Sequence, residues 1–295
     1  MPDGTSIAIH HSLPGAARAL PPPLRLLFRL VASGLPETLA AWVFARMLRP
    51  ARRRKSRAAS ASGQMQTIHS DAGPLQAYRW GDHGPLALLV HGWEGSADDL
   101  SAFVEPLRRS GFRVLALDLP AHGLSSGTQT DVHQMADALA HCLREQGPAA
   151  VVVAHSLGAA VAARCRQRDP GLIRRLALIA PGGELQDEID HVAQLLSLPQ
   201  RCKHALSRVA AAHYGCAVSE CSTRVALAAV PTTATEPILL VHDHADTVVP
   251  YAASERLVQA LPHCERMTTL GLGHRRILSD PAVIARVVEY CVPSL

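Results

Sequence analysis

The chain has 295 residues, of which 48% are hydrophobic, 18% charged and 4% aromatic, which supports one large domain or two ordinary ones and excludes a chain disordered throughout. Its formal net charge of +4 is uneven: residues 1–57 hold ten Lys/Arg against Asp3 and Glu37, whereas the remainder holds 19 Lys/Arg against 23 Asp/Glu. The basic character is therefore N-terminal, and the body offers no electrostatic footprint for nucleic acid.

Residues 1–63 read as a basic, partly helical extension and linker. The opening residues lack the basic and long apolar regions of a secretory signal. The apolar stretch 24–48 carries Arg25, Arg29, Glu37, Arg46 and a central Pro36, so it does not suit a membrane span. Two helical patterns, 24–31 and 39–48, flank Pro36, and the basic run Arg49, Arg52, Arg53, Arg54, Lys55 and Arg57 follows. Two readings of 18–57 compete. The favoured one packs these helices on the body. The other lays them on an anionic membrane, with Leu24, Leu27, Phe28, Val31, Trp42, Val43 and Phe44 inserted and the basic run at the headgroups. The seven cysteines are scattered without a C-x-x-C pair, which suits a reducing compartment. The expected location is the cytoplasm, with peripheral membrane contact as the second reading.

From Gln64 onward short apolar runs alternate with helical patterns. Strands are expected at 75–80, 86–90, 112–118, 149–154, 174–180, 237–242 and about 264–270, with helices at 98–109, 131–146, 157–168, 250–261 and 281–291. Several of the strands are continuous Val/Leu/Ala runs, as central parallel strands covered on both faces require. The fold class is α/β, with a doubly wound, mostly parallel sheet. More than fifty residues between two of these strands carry only helical patterns, at 187–198, 200–213 and 217–229. We read about 182–235 as a helical insertion over the sheet edge where α/β proteins bind ligands.

The chemistry centres on Ala154-His155-Ser156-Leu157-Gly158, between an apolar strand and a helix. A nucleophile on such a turn needs small flanks at minus two and plus two, which Ala154 and Gly158 supply, and the helix N-terminus favours negative charge developing at Ser156. His274, between glycine-rich residues and the last helix, is placed to serve as general base. Two aspartates compete for the acid. Asp246, in the turn after the strand, is favoured over Asp243 at the strand end, which suits a turn-forming role. His242, His244 and Asp246 imitate a metal-ligand spacing, as do His213, Cys216 and Cys221, but metal binding would leave Ser156 and His274 unexplained. No metal or cofactor is expected.

His91-Gly92-Trp93, the stretch from Asp118 through His122 to Ser125, the Ser156 turn, Asp246-x-x-Val249-Pro250 and Gly273-His274 together resemble the α/β-hydrolase superfamily. The resemblance covers about 64–295 and makes the insertion that superfamily's cap. It implies that the backbone N–H groups of Trp93 and Leu157 form an oxyanion hole. The Trp93 ring either lines an acyl pocket or packs in the core. Asp118 and His122 are read as a structural turn in preference to a second acid–base pair. The implied activity is a serine carboxylic-ester hydrolase acting on a small-molecule acyl substrate through an acyl-enzyme. Ser in place of Asp at the turn argues against the dehalogenase and epoxide-hydrolase branches. The alternatives are an acyltransferase on the same triad and a non-catalytic, membrane-associated binding protein. Acyl length and oligomeric state are not legible.

Overall fold

A computed structural model of the protein describes residues 34–51, 63–230, 238–261 and 263–292. Eight strands share one sheet: β1 Gln64–Ser70, β2 Gly73–Trp80, β3 Leu86–Val90, β4 Arg113–Leu117, β5 Ala149–His155, β6 Ile173–Ile179, β7 Ile238–Asp243 and β8 Glu265–Thr269. Their spatial order is β1-β2-β4-β3-β5-β6-β7-β8. β2 runs antiparallel to β1 and β4, and all pairs from β4 through β8 are parallel. β3 and β7 are buried at every position, which explains the apolar runs LALLV and ILLV within them. β1 has no counterpart among the strands expected from sequence. Its sequence QMQTIHS buries only Ile68, so an edge strand of this kind lacks the apolar signal.

The helices are α1 Pro36–Met47, α2 Val104–Arg109, α3 Val132–Gln146, α4 Leu157–Arg168, α5 Leu185–Leu195, α6 Gln200–Tyr214, α7 Thr223–Ala228, α8 Ala252–Ala260, α9 Gly273–Arg276 and α10 Pro281–Cys291. One face of the sheet packs on Leu139, Leu143, Val161, Cys165 and Leu257 from α3, α4 and α8. The other packs on Leu100, Phe103, Leu107, Val283 and Val287, from α2, the 3-10 turns before it and α10. Asp131 caps α3 by accepting from the Gln134 N–H, and Asp280 caps α10 by accepting from Ala282 and Val283. The helix expected at 217–229 is instead a 3-10 turn, Val218–Glu220, followed by α7. Ser222 interrupts it, because its hydroxyl caps the new helix by accepting from the Val225 N–H.

A third core joins α1 to the insertion. Leu39, Ala40, Val43 and Phe44 are buried with Ile189, Val192, Cys202, Ala205 and Leu206 from α5 and α6. Pro36 starts α1, since at the first helical position its missing N–H costs nothing. Val43 and Phe44 are therefore enclosed in protein, whereas Trp42 is 55% exposed. The pattern at 24–31 and the residues from Arg52 to Arg57 lie outside the described residues. No described helix is long and apolar enough to cross a membrane.

The approach of α4 to β3 depends on Gly158. A Cβ there would lie 2.5 Å from the His91 carbonyl oxygen and 2.6 Å from that of Val90. Both are backbone atoms of the sheet edge and cannot rotate away. Gly158→Ala is expected to cost about 1–3 kcal/mol of stability, read as a lower midpoint in chemical denaturation.

Candidate active site

Ser156 stands between β5 and α4 with φ 54° and ψ −123°, a left-handed conformation that non-glycine residues rarely adopt. Such a residue persists only where its surroundings over-determine it. Here the Ser156 N–H donates to the Ile179 carbonyl at 3.0 Å, and its own carbonyl accepts from Ala159 at 3.0 Å and Gly182 at 3.2 Å. Gly92 also presses close, since a Cβ on it would be 2.8 Å from the Ser156 Cβ. The hydroxyl-bearing side chain and His274 line one small cavity, together with Gly92, Trp93 and His155.

His274 lies on the single turn of α9, not in a bare loop, and is buried. Its Nδ1 is 2.7 Å from Asp246 Oδ2. Because a carboxylate only accepts, the Nδ1 carries the proton in the neutral ring and Nε2 is left with a lone pair. Asp246 is fixed in the turn after β7, with Oδ1 accepting from the N–H groups of Val248 at 2.7 Å and Val249 at 2.9 Å. Burial alone would raise its pKa. Hydrogen bonds from His242 and His274, the His274 charge and the Val249 amide outweigh burial and hold it well below the usual carboxylate range.

Asp243 does not touch the imidazole. Its carboxylate accepts from the N–H groups of Ala245, Gly271 and Leu272 and from the Thr269 hydroxyl, tying the end of β7 to the segment that leads into α9. Burial is again the largest influence and acts upward, but the Thr269 and backbone hydrogen bonds leave its pKa lowered. The two aspartates thus divide the work: one contacts the ring and the other holds the segment carrying it.

Two histidines that the sequence reading gave no catalytic part support this arrangement. His242 Nε2 lies 3.2 Å from Asp246 Oδ2 and 3.1 Å from the Val249 carbonyl, so it donates to both, while Nδ1 accepts from the Ser254 hydroxyl at 2.7 Å. His155 Nε2 donates to the His274 carbonyl at 2.9 Å, and its ring leans on that of His274 with centroids 4.6 Å apart. Burial, followed by repulsion from His274, lowers the His155 pKa to about 3, so its ring stays neutral. Nothing in residue type distinguished these two among sixteen histidines. Only their spacing from Ser156 and Asp246 carried a signal.

The segment after β3 is held just as closely. His91 Nε2 accepts from the Leu119 N–H at 3.0 Å, so Nδ1 carries the proton and donates to the Gly92 carbonyl at 2.7 Å. Trp93 and Leu157 both border the larger cavity that opens on Ser156. Glu94, with φ 57°, accepts at Oε1 from the Ala51 N–H at 3.0 Å, and the Leu48 carbonyl accepts from Thr130 at 2.8 Å. The chain leaving α1 is therefore stitched to the loop beside Ser156. Asp118 and His122 form no acid–base pair with each other. Asp118 accepts from the Ala97 and Leu124 amides, while His122 Nδ1 faces the Pro120 carbonyl.

The residues weighed as metal ligands have other partners. His244 stacks on Tyr251 with centroids 3.8 Å apart, and His213 Nε2 is 2.9 Å from Asp131 Oδ2. Cys216 and Cys221 place their sulfurs 2.9 Å apart.

The larger cavity has mostly apolar walls. Phe44, Met47 and Leu48 come from α1 and the residue after it, Trp93 and Val249 from loops of the main domain, and Leu185 and Tyr214 from the insertion. The contribution of α1 was not legible in sequence, because Phe44 lies 112 residues upstream of Ser156 and shares no motif with it.

The profile of the alpha/beta hydrolase family matches residues 87–287, and the chain belongs to that family. Among curated proteins it is 38% identical over 108 residues to the dihydrolipoyllysine-residue acetyltransferase component of an acetoin cleaving system from Cupriavidus necator, a match covering 36% of this chain and 29% of that protein. It is 34% identical over 112 residues to an esterase of Mycobacterium tuberculosis, covering 37% of each. The chain thus spans about a third of the length of these curated relatives. A solved structure of a Pyrococcus furiosus esterase superimposes with a TM-score of 0.63 at 20% identity, covering 82% of this chain and 97% of that one, which is a likeness of fold.

Proposed function

We propose that this hydrolase cleaves a carboxylic ester or related acyl bond through Ser156, His274 and Asp246. The observation that carries the proposal is the Ser156 turn, sharing a cavity with a buried imidazole whose Nδ1 is bonded to a buried carboxylate. Ser156 Oγ attacks the acyl carbon as His274 Nε2 takes its proton. Asp246 keeps that nitrogen free to accept and stabilises the imidazolium, helped by the second hydrogen bond from His242 to the same carboxylate oxygen. The amides of Trp93 and Leu157 stabilise the oxyanion. The leaving alcohol receives the proton from His274, and water then attacks the acyl-enzyme by the same route.

The test is labelling with a fluorophosphonate, followed by a panel of esters of graded acyl length. A single labelled site, abolished in Ser156→Ala, is expected. Labelling that survives this change would refute the assignment. A reducing cytoplasmic location agrees with seven free cysteines, including the adjacent Cys216 and Cys221.

The apolar cavity is the proposed acyl site, with the cap and α1 as its walls. Phe44→Ala should enlarge it and move the optimum of the ester panel to longer chains by two or more carbons at roughly unchanged kcat. An unshifted optimum would exclude α1 from acyl selection.

The likeness to an acetyltransferase component favours one second reading, in which an alcohol intercepts the acyl-enzyme. Acyl transfer to added alcohols exceeding hydrolysis would support it.

A further inference from the structure

Glu188 lies in the first turn of α5, and its side chain borders the cavity that opens on Ser156, at the place where this cavity adjoins two others. Its Oε2 is sealed from solvent and has no hydrogen-bond partner among the described residues. A buried acceptor in this state is costly, and such groups are rare unless something else completes them. Three neighbouring carboxylates are engaged. Asp131 accepts from the Gln134 N–H and faces His213, Asp187 pairs with Arg256, and Asp190 pairs with Lys203. Glu188 borders the apolar cavity, and its sealed oxygen has no hydrogen-bond partner among the described residues.

We propose that Glu188 is a specificity residue that binds a hydroxyl group on the acyl chain of the substrate. The inference rests on the ester-hydrolase reading of Ser156. A hydroxyl both donates and accepts, so it complements the carboxyl in either protonation state. Burial and the adjacent Asp187 charge push that carboxyl up to about 7, so both states are populated near neutrality. An ammonium group would suit only the ionised state, and its own charge would have to be stripped of water between apolar walls. A carboxylate on the substrate would be repelled by Glu188, Asp187 and Asp131. The remaining walls, Phe44, Met47 and Trp93 among them, take the hydrocarbon part of the chain. The preferred substrate is accordingly an ester of a hydroxylated, otherwise apolar acid.

The experiment compares kcat/KM for p-nitrophenyl esters of hexanoic, 3-hydroxyhexanoic, 6-hydroxyhexanoic and 6-aminohexanoic acids in the wild type and in Glu188→Met. Met keeps the length and flexibility of Glu without its polar atoms. The wild type is expected to favour one hydroxyacyl ester over hexanoyl by about 10-fold, and Glu188→Met to lose that preference while hydrolysing the hexanoyl ester at least as well. Equal treatment of hydroxylated and plain esters by the wild type overturns the proposal, whatever the variant does. So does a preference that survives in Glu188→Met, or a wild-type preference for the aminoacyl ester. Calorimetric binding of the same esters to Ser156→Ala, with and without Glu188→Met, reads the subsite apart from turnover. Absence of hydrolysis with every ester counts against the ester-hydrolase reading, whereas tighter binding of a hydroxyacyl ester that depends on Glu188 still upholds the subsite.

Discussion

Replacing Ser156 by Ala, or His274 by Ala, is expected to lower kcat on esters by on the order of 10³-fold or more, and the double change should add little to either single one. In the proposed mechanism both groups serve a single proton transfer, so losing either removes the same step. The effect on the fold should run the other way at one position. Ser156 holds φ 54°, and Ser156→Gly permits that angle without steric cost. This variant is expected to be inactive and yet to melt at a higher temperature than the parent. A matching loss of stability would mean that the Ser156 side chain, and not its backbone, is what the turn requires.

Asp246→Asn should lower kcat by on the order of 10⁴-fold, because the site dictates which way the amide faces. The Val248 and Val249 N–H groups donate to Oδ1, so the amide oxygen must occupy that position. The NH2 group then replaces Oδ2 and meets two ring nitrogens that both carry protons, on His274 and His242. His274 can relieve the clash only by moving its proton to Nε2, the nitrogen that has to accept from Ser156. Asp243→Asn leaves His274 Nδ1 bonded and should cost about 10-fold in kcat, with about 1–3 kcal/mol of stability from loosened contacts to Gly271, Leu272 and Thr269. Steady-state kinetics on both variants decides the matter, and the reverse order of effects would assign the acid to Asp243. Both carboxyls are held below their ordinary pKa in the folded protein. Their contribution is therefore complete above the usual carboxylate range and is lost as pH falls through that range towards the folded values. Melting temperature should fall as pH drops through and below the usual carboxylate range, and the fall there should be shallower in Asp246→Asn.

The parts of this site that were legible in sequence are those imposed by the backbone. A nucleophile turn between a strand and a helix demands small neighbours, so Ala154 and Gly158 announced Ser156, and the Asp246 turn announced the partner of His274. The central strands were legible for a similar reason, since burial on both faces leaves a continuous apolar run. β1 escaped because its residues are mostly polar and exposed, and α9 because four residues give no period to read. His155 and Glu188 became visible only when distant segments met, and His242 only when the turn after β7 closed on its ring. A histidine or glutamate in isolation carries no mark of its future neighbour. The placement of α1 was harder still. Its apolar stripe suited protein and lipid alike, with packing on the body favoured, and α6, against which it packs, lies about 150 residues further along the chain.

That separation bears on the order in which the molecule is assembled. α1 leaves the ribosome early, yet the surface it must cover, Cys202, Ala205 and Leu206, is made only after six of the eight strands. Closing so long a loop costs entropy that the small third core has to offset. α1 should consequently dock late, onto a sheet already formed, and it should be among the first elements to detach. Native-state hydrogen exchange would then find the amides of 37–47 opening at a lower free energy than those of β3 and β5. Because Phe44, Met47 and Leu48 enclose the cavity and Ala51 anchors Glu94, each such opening would leave the Ser156 turn in place while removing one wall of the cavity and a support of the Trp93 loop. The acquisition of activity during synthesis would thus be separable in time from the acquisition of the sheet.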